Sequence, residues 1–479
     1  MSTHSSYDAV VIGSGPNGLA AAITLARAGR SVLVYEARKT VGGGTRSAEL
    51  TLPGFVHDVC SAIHPLGLSS PFFRDLPLDR YGLEWIQPPS PLAHPLDDGS
   101  AMLLERSIPQ TGATLGQDAL TYSKLMSPLA SHWEILSRTF LGPLRPEMLQ
   151  HPFVMSRFGL SALRSVNALV RQHFKEERAA ALFAGMGAHS FLPLEKAPSA
   201  AFGLVLGASG HAVGWPLPRG GSQSIANAMA AYLEELGGEI ITDTEVKDLR
   251  QLPQAKAILC DVTPQQLLQI AGKQLPEGFK RSLRRYRYGP GIFKIDYALS
   301  GPIPWKATEC QRAATVHLGG TLAEIARSED EIWQGKPPER PFVLIAQQSL
   351  FDPGRAPNDQ QTGWAYCHVP NGSNFDMTER IERQIERFAP GFRDLILARH
   401  VTDTAALESY NPNYIGGDIN GGVQDFWQLF TRPTIRLNPY STPAKHIFLC
   451  SSSTPPGGGV HGMCGYYAAQ TALRSVLKD

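Results

Sequence analysis

The chain has 479 residues and a formal net charge of +1, from 44 Lys and Arg against 43 Asp and Glu. That balance offers no field to gather nucleic acid, so no nucleic-acid partner is expected. Hydrophobic residues at 43% and charged residues at 18% exclude a disordered chain, and the length predicts two intimately joined domains rather than one core.

The six cysteines, Cys60, Cys260, Cys310, Cys367, Cys450 and Cys464, show no C-x-x-C spacing. They read as reduced, buried thiols, which argues against disulfide-reductase chemistry. The opening MSTHSSYDAV lacks a basic region followed by an apolar core. A cytoplasmic location is therefore the expectation, with peripheral contact to a membrane left open. The weakly polar stretch from Ala200 to Trp215 is too short and interrupted to span a bilayer.

Asp8 to Ile12 is an apolar, β-branched run that predicts a buried strand, and it enters Gly13-Ser14-Gly15-Pro16-Asn17-Gly18 with no spacer. Asn17 to Ala28 then reads as a helix closed by Gly29, and Ser31 to Tyr35 as a second strand ending in Glu36. In this G-x-G-x-x-G, Gly13 suits the tight turn, Gly15 a backbone close to a pyrophosphate, and Gly18 close helix–strand packing. The helix N-terminus would face the phosphates with free N–H groups. Glu36 stands 18 residues after Gly18, near the offset at which an acid accepts from a ribose 2′-OH, which disfavours a 2′-phosphate. The fingerprint alone leaves NAD and FAD open.

A second glycine cluster, Gly42 to Gly44, precedes Thr45 and Arg46. Three adjacent glycines suit no regular element, so close backbone approach is expected, with Arg46 placed to hold a phosphate or polarise a ring. His64, between Ile63 and Pro65, is the catalytic candidate of the next stretch, although a lone histidine in an apolar turn more often satisfies a backbone group.

Between Tyr122 and Gly210 the pattern is helical, with segments expected at Tyr122 to Phe140, Ser161 to Phe174, Glu176 to Met186 and Ala197 to Leu206. His173, His189 and His211 do not share a helical face, so no metal site is expected. An apolar helical cap over a ligand cavity fits this stretch. The chain then returns to a helix from Gln223 to Leu236 and strands at Glu239 to Thr242 and Ala255 to Cys260, which predicts a discontinuous first domain.

From Tyr288 to Pro370 strands alternate with loops as in a mainly antiparallel sheet, and Met377 to Phe388 is an amphipathic helix. The turn-rich run from Asn411 to Gly422 is long enough to suggest function. Near the end, a strand from His446 to Cys450, a loop carrying Gly457 to Gly459, and a helix from Tyr466 to Leu477 form a second close-approach unit. Its N–H groups would meet a ring carbonyl or phosphates. Contacts at both glycine-rich loops, beyond an adenosine half, favour FAD over NAD.

VVIGSGPNGLAAA with YEARKTVGGGTR, LPGFVHDVCSAIHPL, PLPRGGSQSIANAMAAYLEELGGEI and IFLCSSSTPPGGGVHG together resemble FAD-dependent oxidoreductases of the phytoene desaturase type. YIGGDINGG adds a likeness to the relatives called phytoene dehydrogenase-related or pyridine nucleotide-disulphide oxidoreductase-like. The resemblance implies an α/β architecture. A Rossmann-type FAD domain (1–110, 211–280 and 440–479) would join an α+β substrate domain (111–210 and 281–439) that carries the antiparallel sheet and helical cap. It implies extended FAD held by Gly13, Gly15, Pro16, Asn17, Gly18, Glu36, Ala37, Arg38, Gly43, Gly44, Thr45, Arg46, Val246, Ser453, Gly458, Gly459 and Val460. The family pattern has His where Pro455 stands and Gly or Ala where Ser451 to Ser453 stand, so the flavin-edge contacts depart from it.

No second complete strand, G-x-G-x-x-G and helix unit is present, and Gly185-Met186-Gly187 lies in a helical context. A resident nicotinamide is thus not expected, and oxygen or a quinone would take the electrons. The implied activity is desaturation, saturation or isomerisation of an apolar polyene, isoprenoid or lipid-like substrate by hydride transfer to flavin N5. A flavin amine oxidase and a non-catalytic FAD-containing scaffold are the alternatives.

Overall fold

The structure is a computed structural model that describes residues 6–143 and 150–478. The chain opens with β1 (Ser6–Ile12), α1 (Pro16–Arg27) and β2 (Val32–Tyr35), the unit read from the sequence. A short hairpin follows, β3 (Ser47–Glu49) with β4 (Val56–Asp58), then β5 (Ser90–Pro95) and β6 (Ala101–Leu104). The helical stretch comprises α2 (Ala119–Ser131), α3 (Trp133–Phe140), α4 (Pro152–Ala162), α5 (Val166–His173), α6 (Glu177–Ala188) and α7 (Ser199–Ala212). It breaks more often than expected. His132 leaves helical geometry between α2 and α3, and Ser165 starts α5 afresh by accepting from the Ala168 N–H. Among the described residues no helix is long and apolar enough to cross a membrane.

Next come α8 (Gln223–Glu235), β7 (Glu239–Ile241), β8 (Gln254–Cys260), β9 (Gly291–Leu299), β10 (Ala313–Leu318), α9 (Leu322–Trp333), β11 (Val343–Ala346) and β12 (Gln361–Val369). The chain ends with α10 (Thr378–Phe388), β13 (Ile396–Thr402), α11 (Phe426–Thr431), β14 (Ile447–Leu449) and α12 (Met463–Ser475).

A five-stranded parallel sheet has the order β14-β8-β1-β2-β7, with α1, α8 and α12 on one face and Val246, Leu249, Leu267 and Leu275 packed on the other. Such a sheet needs apolar residues on both faces, and β1 supplies Val10, Val11 and Ile12. The second sheet has seven strands in the order β13-β9-β12-β11-β10-β5-β6, antiparallel except where β10 runs parallel to β5. Residues 90–104, expected in the cofactor half, therefore belong to the other sheet. Ser90, Leu92 and Ala93 pair with Ala313, Thr315 and Val316, a long-range match that no local pattern announces.

The pleat sorts the seven-stranded sheet into two faces. Phe293, Ile295, Val316, Val343, Ile345 and Cys367 pack on one side against α10, whose apolar stripe includes Ile381, Ile385 and Phe388. On the other, cross-strand pairing aligns His317, Leu344, Tyr366 and Lys294, and the adjoining row holds Ala346, Trp364 and Asp296. The helical stretch covers this second face, and a cavity lies between them.

Candidate functional site

The cavity encloses about 700 Å³ and begins at the carboxyl ends of the parallel strands. Ile12, Glu36 and Asp261 line it there, where an open α/β sheet binds its ligands. Gly15 is extended at the head of α1 (φ −65°, ψ 172°), Pro16 occupies the first turn, and the helix N-terminus opens onto this space. The second glycine cluster packs directly on the first. Gly42 N–H donates to Ser14 O at 3.0 Å, and a side chain on Gly43, whose φ is +52°, would fall 3.0 Å from Gly15 Cα.

Most of the residues expected around the cofactor line the cavity: Gly13, Gly15, Pro16, Asn17, Glu36, Ala37, Arg38, Gly43, Gly44, Arg46, Val246, Gly459 and Val460. Four do not. Gly18 packs on the Gly13 carbonyl, Thr45 turns its hydroxyl to Gly42 O at 2.8 Å, Ser453 donates to Gly421 O at 2.9 Å, and Gly458 abuts Asn420. These hold the loops in shape from behind.

Glu36 and Arg46 are organised differently from the sequence expectation. Glu36 Oε2 accepts from Ser14 N–H (3.0 Å) and Ser14 Oγ (2.6 Å), while Oε1 accepts from Arg38 N–H (2.9 Å) and Arg46 Nη2 (3.0 Å). Those bonds engage both carboxylate oxygens, so a ribose hydroxyl would share or replace one of them. Arg46 spends its remaining donors on Thr40 O and Gly43 O and lies 5.6 Å from the Tyr410 ring centroid. It ties the loop together and lines the cavity.

Further along, His64 is buried, its Nε2 2.8 Å from Ser222 Oγ, and Ser222 N–H donates to Asp58 Oδ1 at 2.7 Å. Burial holds the imidazole neutral, with its pKa lowered to about 4. It borders the cavity and secures the turn at 216–222. The run from Asn411 to Asn420 also reaches the cavity: Asn413 Oδ1 accepts from Thr263 N–H at 3.0 Å, and Asn413 Nδ2 donates to Asp261 O at 3.1 Å.

The far end is apolar and aromatic. Ile63, Phe191, Leu206 and Trp215 come from the cofactor side and the cap; Ile292, Leu344, Trp364 and Tyr366 come from the inner face of the seven-stranded sheet. Trp364 and Tyr366 meet edge to face at 5.1 Å. The carboxylates that line the cavity, Glu36, Glu245 and Asp261, all stand at the other end among the described residues. Among those residues no group of His, Cys, Asp and Glu has metal-binding geometry.

A sequence model of the flavin containing amine oxidoreductases matches residues 17–269, more than half of the chain. The chain belongs to the flavin containing amine oxidoreductase family. It is an FAD-dependent oxidoreductase of that family's amine oxidase and desaturase superfamily. Pyridine nucleotide-disulfide oxidoreductase domain-containing protein 2 of Rattus norvegicus is 25% identical, covering 98% of this chain and 94% of its own. A limonene dehydrogenase polypeptide of Castellaniella defragrans is 22% identical over 99% and 96% of the two chains. A 4,4'-diapophytoene desaturase of Staphylococcus haemolyticus is 20% identical over 94% and 95%. Among solved structures, an oxidoreductase from Methanosarcina mazei superposes with a TM-score of 0.67 at 15% identity, covering 98% of this chain and all (100%) of that one.

The site fits the flavin dinucleotide of this family. The glycine loops leave open backbone at the head of α1, and buried Asn17 Oδ1 has no partner within the protein. The cavity then continues past Gly44 to Gly459 and Val460, joining both glycine-rich loops.

Asp261 is the residue that the sequence reading missed. It follows β8 directly, and an acid just past the carboxyl end of a strand beside β1 is a signal available in any such chain. Its Oδ2 accepts from Gly18 N–H at 3.0 Å and would lie 3.0 Å from a side chain on Gly15. Burial raises its pKa to about 7; the Gly18 N–H opposes that rise, and Glu36 adds to it. A folded pKa above the unfolded 3.8 means that the folded state holds an extra proton between them. Stability of the cofactor-free protein should therefore fall as pH rises from 3.8 to about 7 and then level off. Asp261→Asn is expected to remove this component, measured as urea midpoints across that range; an unchanged slope would refute it.

Proposed function

We propose that this oxidoreductase acts on an apolar substrate, a polyene, isoprenoid or lipid-like molecule, by hydride transfer. The observation that carries this reading is the far wall of the cavity, built from Ile63, Phe191, Leu206, Trp215, Leu344, Trp364 and Tyr366, where no carboxylate lines the cavity among the described residues and Asp296, opposite Trp364, is paired with Lys294. Burying an apolar chain against such a wall drives binding, and the same wall excludes water. FAD, when bound, supplies the hydride acceptor at N5. The protein's part is to hold a substrate C–H in register and keep the surroundings neutral, and buried His64 and partly buried His189 serve that, with pKa values lowered to about 4 and about 3. Oxygen or a quinone is the proposed electron acceptor.

An amine substrate is the second reading, favoured by the family's name and by the Trp364 and Tyr366 rings, whose faces attract cations. Anaerobic mixing of the FAD-loaded protein with a panel of polyenes, prenyl compounds and alkyl amines separates the two. Bleaching of the flavin by a polyene or prenyl compound is expected. Bleaching by amines alone would reverse the order of the readings.

A further inference from the structure

Polar groups interrupt the apolar end of the cavity, Thr315 on β10 and a histidine pair beside it. His189, the residue after α6, lines the cavity, and its Nε2 lies 3.0 Å from Nε2 of His317 on β10. Two imidazoles sharing one hydrogen bond leave two ring nitrogens to be satisfied. His317 Nδ1 is buried without a partner, crowded by Gly185, where a side chain would fall 2.7 Å from it. His189 Nδ1 is left for whatever occupies the cavity.

An orphaned buried N–H is costlier than an orphaned lone pair. The favoured arrangement leaves His317 Nδ1 bare and has His317 Nε2–H donate to His189 Nε2, so His189 Nδ1 carries a hydrogen and becomes a donor. A second donor lies on the same wall. Trp364 is 8% exposed and lines the cavity, and its Nε1–H has no partner in the protein. His189 stands over His317 on β10, and Trp364 lies on β12, one row along and with β11 between.

Burial keeps His189 uncharged near neutral pH, with its pKa lowered to about 3, and the neighbouring His368 adds to the effect. A neutral donor pair flanked by Trp215, Phe191 and Leu344 suits an oxygen acceptor on an otherwise apolar molecule, and it offers nothing to compensate a buried ammonium.

We infer that the substrate carries one neutral oxygen, a hydroxyl or carbonyl, on its apolar body, and that His189 is the specificity residue that reads it. This rests on the apolar-substrate reading above and narrows it.

The test titrates the FAD-loaded protein with a prenyl alcohol and with the hydrocarbon of the same chain length, read as perturbation of the flavin absorbance. The wild type is expected to bind the alcohol about tenfold more tightly, one net hydrogen bond. His189→Phe should bring the two affinities together, and His189→Gln should keep part of the preference because an amide also donates. Where His189→Phe does not fold, Trp364→Phe keeps an aromatic ring but removes the donor and should narrow the preference. Equal affinities in the wild type, as when water alone satisfies the donors, overturn the inference and leave the apolar reading standing. So does an unchanged preference in the folded variants. If neither ligand perturbs the flavin, the apolar reading fails, and the inference with it.

Discussion

Arg355→Leu should lower the stability of this protein by about 3–5 kcal/mol and strip it of flavin, because the guanidinium bridges two buried carboxylates and is the only Arg or Lys paired with Asp58 among the described residues. Arg355 is 0% exposed. Its Nη1 donates to Asp58 Oδ2 at 2.6 Å, its Nε to Asp352 Oδ2 at 3.0 Å and its Nη2 to Pro218 O at 2.8 Å. Each carboxylate in turn holds backbone: Asp58 accepts from Ser222 N–H and Asp352 from Gly220 N–H. Three segments therefore meet on one side chain: the β3–β4 hairpin, the 216–222 turn beside His64, and the loop after β11. Leucine matches part of the volume and none of the charge, so Asp58 would remain buried and unpaired and Asp352 would keep only Arg219, 3.8 Å away.

The pH dependence gives this prediction its sign. Burial pushes the Asp58 carboxyl up, but Arg355, Ser222 N–H and Ser47 Oγ outweigh burial and hold it below 3.8. A depressed acid adds stability above its unfolded value and loses it as pH falls through the folded one. In Arg355→Leu burial is opposed only by Ser222 N–H and Ser47 Oγ and the carboxyl rises, so acid relieves the variant. The gap between wild type and variant, from urea unfolding at pH 7 and pH 4, should narrow on acidification; a gap under about 1 kcal/mol at pH 7 would show that the cluster matters little.

What could be read from the sequence was local or carried by glycine spacing. The β1–α1–β2 unit is contiguous, and its strand, turn and helix each declare themselves within a few residues. The contact of Gly43 on Gly15 was legible as a need for close approach, although its partner was not. Long-range pairings escaped. The seven-stranded sheet takes in residues 90–104 through a parallel match with β10, and the His189–His317 pair joins residues 128 apart. Arg46 was legible as a cation beside the cavity, but its ion pair with Glu36, 3.0 Å away, was not. The aromatic wall escaped for another reason: Trp364 and Tyr366 alternate with buried Ala365 and Cys367, and alternation tells that a strand has two faces without telling which one meets a ligand.

The second large effect is expected at Gly18, which lies behind the cavity. A methyl group there would stand 2.0 Å from the Gly13 carbonyl oxygen, 2.9 Å from its carbon and 3.2 Å from Asp261 Oδ2. The neighbours that would have to yield are backbone. α1 has no room to retreat, since α12 presses on its other side so closely that a side chain on Gly465 would meet Asn17 O at 1.8 Å. Gly18→Ala must therefore pull the helix from the turn, breaking the Gly18 N–H bond to Asp261 and misaligning the N–H groups at the head of α1. The expected cost is about 3 kcal/mol, the upper end for overpacking, with flavin content falling to a small fraction of wild type. Gly159→Ala, in α4 with nothing within 4 Å of the new methyl, is the matched control. It should gain about 0.5–1 kcal/mol from helix propensity and keep its flavin. Full flavin occupancy in Gly18→Ala, measured as the ratio of flavin to protein absorbance after desalting, would mean that the turn can open without harm and that close packing at Gly18 is not what shapes the cofactor site.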